Sequence, residues 1–153
     1  MLFTKIFIKI FAKIFAAITA GILLSVVMSA IDYTPPSERM EGVYYYSFPA
    51  LVTGGIFYTV PLFLFPGLPI SVLLDNGLSK FRTKHRAGNY LLSVVFYALG
   101  GAMAALLLLV VIRGGRASSV SAFFEVLGSA VLASMLFLHL SLFLEWLMKK
   151  AGK

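Results

Sequence analysis

The chain alternates long uncharged apolar runs with short polar intervals, and the runs have the length of membrane spans. Apolar residues dominate 14–31, 42–74, 87–112 and 126–144. A helix rises about 1.5 Å per residue and the hydrocarbon core of a bilayer is about 30 Å thick, so roughly 20 apolar residues cross it. The pattern predicts an all-α membrane protein, a four-transmembrane-helix bundle forming a single integral membrane domain over residues 1–153. Spans are expected over 14–31, 48–65, 90–112 and 120–144.

The second run is too long for one upright helix. Pro49 suits a helix start and Pro61 a kink, while Pro66-Gly67-Leu68-Pro69 should end a helix. The second span is therefore expected to stop near residue 65, with one long, tilted, kinked helix to Leu74 as the competing reading. A short interfacial segment over 69–74 should follow, closed by the turn signal Asp75-Asn76-Gly77.

Within the spans, small and polar residues recur every four positions. Asn89, Ser93, Tyr97, Gly101 and Ala105 form one such face, and Ala17, Gly21, Ser25 and Ser29 another. In lipid, close backbone approach drives helix association. Gly21, Gly54, Gly100 and Gly101 are accordingly the expected packing positions, with Gly55 beside Gly54.

The N-terminus repeats a Lys-Ile-Phe unit at Lys5, Lys9 and Lys13. At this spacing the lysines drift by only about 40° per repeat and form a stripe. They are expected to contact the membrane surface, with their stems in the apolar layer and their ammonium groups in water. The run ending Met28-Ser29-Ala30 has the look of a cleavable signal, but it is too long for a signal's apolar region, so the first span is expected to be retained.

Charge sets the expected orientation. Lys5, Lys9 and Lys13 precede span one; Lys80, Arg82, Lys84 and Arg86 separate spans two and three; Lys149, Lys150 and Lys153 follow span four. These are ten of the 13 basic residues, and short basic loops stay inside, so both termini and the middle loop should be cytoplasmic. Topology thus accounts for the net charge of +7, and no nucleic-acid partner is implied. Tyr33, Tyr44, Tyr45, Tyr46 and Phe48 bracket the first outer loop as an aromatic belt.

Composition narrows the chemistry. Only 12% of residues are charged, about half the share of a soluble domain, and mean hydropathy is +0.96. There is no cysteine for a disulfide or a thiolate site. Phosphate-gripping loops, dinucleotide fingerprints, zinc helices and nucleophile elbows are all missing from the sequence. No catalytic residue, metal or cofactor is expected. Glu145 precedes Lys149 by one helical turn, which predicts an ion pair. Glu125 and His139 lie nearly four turns apart on the last span, sharing a face with Ser121 and Ser129. With Ser93 and Tyr97 they are the candidate members of a polar path.

The segment Gly67-Leu68-Pro69-Ile70-Ser71-Val72-Leu73-Leu74-Asp75, with the overall size and the Ile/Phe/Lys-rich character, resembles small uncharacterised four-span membrane proteins of Bacillus-type bacteria. The resemblance implies a bacterial plasma membrane and carries no functional residue with it. The expected function is action by protein–protein contact, in an accessory, stress-response or immunity-type role. The expected partners are the lipid bilayer and another membrane protein or the chain itself. The alternative is a small oligomeric transporter or channel component with a polar path along span four.

Overall fold

The computed structural model describes residues 2–81, 84–113 and 120–151, and they are helical apart from short connections. Helix α1 spans Leu2–Asp32, α2 Phe48–Leu62, α3 Leu68–Ser79, α4 Arg86–Arg113 and α5 Val120–Ala151. They supply four stretches long and apolar enough to cross a membrane, with α2 and α3 joined in one of them. The lysine repeat is part of α1 itself, continuous with the first span.

The proline-rich stretch differs from expectation. Pro66-Gly67 does not end the helix: Phe63–Gly67 forms a π-helical turn that runs directly into α3. Pro66 has no N–H to return to the preceding turn, and a wider turn accommodates its ring while keeping the chain helical. Asp75-Asn76-Gly77 is likewise helical, and α3 continues to Ser79 before it stops. Pro61 sits within α2 without breaking it.

Three tight seams hold the bundle. On the α1–α2 seam, a Cβ at Gly21 would lie 2.9 Å from the Val60 Cα. The Thr59 hydroxyl donates to the Gly21 carbonyl at 2.8 Å, and the Ser25 hydroxyl to that of Val52 at 2.8 Å. A side chain at Gly55 would collide with the Ser25 hydroxyl, whereas Gly54 faces open space, so the crossing falls one residue beyond the expected glycine. On the α4–α5 seam, a Cβ at Gly101 would stand 2.8 Å from the Ala130 carbonyl oxygen. Gly100 makes room for the Leu74 side chain of α3. Helix α1 also packs along α5, its Ala12, Ala16, Ala17 and Ala20 all buried.

None of the extensive pairings among the described residues joins α2 to α4. An apolar cavity of about 330 Å³ occupies the space between them, lined among others by Leu24, Thr59, Phe63, Leu74, Gly100 and Phe137. At the far end of the bundle, Arg39 lies between the Tyr33 and Tyr45 rings, 5.7 Å from each centroid. The aromatic belt thus holds the chain's own cation.

A candidate functional site inside the bundle

Lys13 corrects the surface reading of the lysine stripe: it is buried, 3% exposed, deep in the bundle. The reason is phase. Counting back in fours from Ser29, Ser25, Gly21 and Ala17 reaches Lys13, so the lysine occupies the packing face of α1. Lys9 remains exposed, and the side chain of Lys5 lies outside the described residues.

The Lys13 ammonium has three protons and three acceptors. It lies 2.9 Å from Asp75 Oδ2, 3.0 Å from Ser71 Oγ and 3.1 Å from Tyr97 Oη. The Tyr97 hydroxyl in turn donates to Asp75 Oδ1 at 3.1 Å, and Ser71 Oγ donates to the Leu68 carbonyl at 2.8 Å. Ser71 and Asp75 are one helical turn apart on α3 and so reach the same place. Two helices, α3 and α4, bring acceptors to the cation of a third, and among the described residues no buried side-chain polar atom is left without a partner. A buried ion pair is stable only when its remaining donors and acceptors are satisfied, as they are here.

Two cavities meet at Tyr97. On one side is the apolar cavity between α2 and α4; on the other is a polar cavity of about 250 Å³. The polar cavity is lined by Lys9 of α1, Asp75 of α3, Arg86, Asn89 and Ser93 of α4, and Ser141 and Glu145 of α5. The start of α1, the α3–α4 junction and the end of α5 therefore share one end of the bundle. The Tyr97 ring stacks on Phe137 at 6.4 Å, and Phe137 on Phe63 at 6.0 Å, giving an aromatic wall across α4, α5 and the π turn. The backbone under Tyr97 is pinned as well, since its carbonyl accepts from Ser134 Oγ at 2.8 Å.

The four candidate path residues are divided. Ser93 and Tyr97 line the polar cavity, whereas Glu125 and His139 are exposed on the outside of α5. His139 Nδ1 lies 2.7 Å from the Met135 carbonyl and Nε2 2.8 Å from the Tyr90 hydroxyl. A carbonyl can only accept, so Nδ1 carries a proton; in the neutral ring Tyr90 then donates to Nε2. Ser129 bonds back to the Glu125 carbonyl at 2.8 Å, and the side chain of Ser121 lies outside the described residues. Lys149 and Glu145 form the expected pair at 3.2 Å.

Sequence reasoning missed Asp75 and Ser71. Asp75 stood inside an Asp-Asn-Gly turn signal, and Ser71 inside a segment read as interfacial. The four-residue interval between them, matching that of Lys13 with the α1 seam, was the available signal.

The fold and site define a four-helix membrane bundle with an internal ion pair at the head of a polar cavity. Comparison of the chain with family models, with curated proteins and with solved structures finds no match.

Proposed function

We propose that the protein is a transport component of a bacterial plasma membrane, with both termini and the α3–α4 loop in the cytoplasm, and that it carries out no reaction of its own. The orientation rests on the basic residues gathered at one end of the chain's topology. The bacterial membrane rests on the resemblance of residues 67–75. One observation carries the transport reading: Lys13 and Asp75 are paired where a polar cavity and an apolar cavity meet on either side of Tyr97. Ionisable side chains inside a membrane bundle are expensive, and they mark solute or proton pathways more often than they serve as scaffold. The polar path in this reading runs past Ser93, Tyr97, Lys13 and Asp75, with Glu125 and His139 of α5 outside it.

A second reading is contact with another membrane protein or a second copy, in an accessory or immunity-type role. It is favoured by Glu125 and His139, whose polar groups face outward from α5. One experiment separates the two. Ser93→Cys puts a thiol in the polar cavity, and a small impermeant thiol reagent is offered to inverted vesicles and to intact cells. Transport requires labelling from the inner side and, more slowly, from the outer side as the wall at Tyr97 opens. Labelling from the inner side alone would reject transport and leave contact as the function.

A further inference from the structure

The spans close a ring on three sides only. Helix α1 packs against α2 and α5, and α5 against α4. The fourth side, between α2 and α4, is filled by α3 in the half of the bundle that holds the polar cavity, where α3 packs on α4. In the other half, α2 has no extensive pairing with a spanning helix besides α1, and the apolar cavity occupies the gap. In a chain whose helices cross a bilayer, that gap faces hydrocarbon and not water.

The lining decides what fits. Among the described residues no charged side chain reaches this cavity, and its five polar side chains have already committed their protons. Thr59 donates to the Gly21 and Gly55 carbonyls, Ser71 to that of Leu68, and Ser129 to that of Glu125. Ser134 donates to the Tyr97 carbonyl, and the Tyr97 hydroxyl to Asp75. A polar guest would leave its own hydration behind and meet no free donor, whereas an apolar guest loses nothing. An empty cavity is costly too, because its walls then lack contact partners. Its volume of about 330 Å³ is about twice that of a dry apolar cavity that admits one benzene ring (~150 Å³), which gives room for roughly a dozen carbons. That is most of one acyl chain and too little for two.

We propose that the apolar cavity holds one acyl chain of a membrane phospholipid, which enters sideways between α2 and α4 and lies against Leu24, Ala104 and Ala133. The headgroup stays outside the gap, since nothing in the cavity would bind it. The assignment rests only on the spans and the cavity, and so holds whether the bundle transports or works by contact.

The test places the whole protein in phosphatidylcholine nanodiscs with a trace of phosphatidylcholine that carries a carbene precursor halfway along one acyl chain. After irradiation, mass spectrometry locates the adducts. They should fall on Leu24 and Ala104 inside the cavity as well as on outward-facing Phe57 and Leu132. Excess dodecane, a chain without a headgroup, should displace the inside adducts and leave the outside ones. Ala104→Phe and Ala133→Phe put a ring into the cavity from α4 and α5. Each should cut the adducts at Leu24 roughly tenfold, because close packing leaves no second place for the chain. Leu132→Phe, on the outer surface, should leave them unchanged. Adducts confined to the outward faces, or inside adducts indifferent to dodecane, overturn the proposal, and both are read on the parent protein whether or not a variant folds. Inside adducts that survive either Phe variant in folded protein overturn it as well.

Discussion

Lys13 and Asp75 approach to 2.9 Å, yet 4% of the lysine side chain is exposed against 39% of the aspartate. The pair is therefore lopsided, and its two halves should respond differently to mutation. Asp75→Asn leaves a buried ammonium without its counter-charge and should cost about 3 kcal/mol or more. Lys13→Met leaves a carboxylate that can still turn to the water of the polar cavity, and should cost about 1 kcal/mol. Lys13→Met with Asp75→Leu removes both charges and should recover most of the loss. Unfolding in detergent gives the order directly; a more harmful Lys13→Met would contradict this arrangement.

Tyr97→Phe keeps the ring stacked on Phe137 but removes the hydroxyl that serves Lys13 and Asp75 at once. Leaving buried partners unsatisfied should lower stability by about 1–3 kcal/mol. Tyr90→Phe breaks only the exposed bond to His139 and should stay within about 0.5 kcal/mol of the parent. Equal melting temperatures for the two variants would mean that the internal cluster is not formed.

Gly101 faces a backbone carbonyl, which cannot move aside as a flexible side chain can. Gly101→Leu should therefore cost at least the roughly 1–3 kcal/mol typical of overpacking. Ala102→Leu, one position around α4 and only partly buried, should cost less. Equal losses, or the reverse order, would place the α4–α5 seam elsewhere.

The proposed orientation predicts which engineered cysteines meet an impermeant reagent on intact cells. Ser37→Cys should label; Thr83→Cys and Gly152→Cys should not. Since the chain has no cysteine of its own, each result stands alone. Labelling at Thr83→Cys would invert the proposed topology.

Much of this molecule could be read from period and charge. Four apolar runs become four spanning helical stretches, and the four-residue faces of α1 and α4 become packing seams. The site was half legible. Tyr97 stood out as a polar residue on the small-residue face of α4, and Lys13 was noticed for its charge. Charge argued for a place at the membrane surface, and the shared phase with Gly21 and Ser25 argued for the interior. Phase prevailed because a partner was waiting on α3, and that partner came from a proline-rich stretch whose local signals spelled an end to the helix. Local signals cannot report that a neighbouring helix makes continuation worthwhile.

The π turn at Phe63–Gly67 also acts as a rotary coupling. Thr59 before it and Ser71 after it both bond to α1, through the Gly21 carbonyl and Lys13. In an unbroken α-helix their separation of twelve residues, at about 100° each, would leave them roughly 120° apart around the axis. A π turn closes over one residue more than an α turn, which takes back about 100° and brings the two to within roughly 20° of one another. Deleting a single residue from 63–67 would barely alter the apolarity or length of the span. It would swing Ser71 and Asp75 away from α1 and leave Lys13 facing neither. One inserted residue thus sets the angle at which two halves of a span read the same neighbour, and the ion pair exists only at that setting.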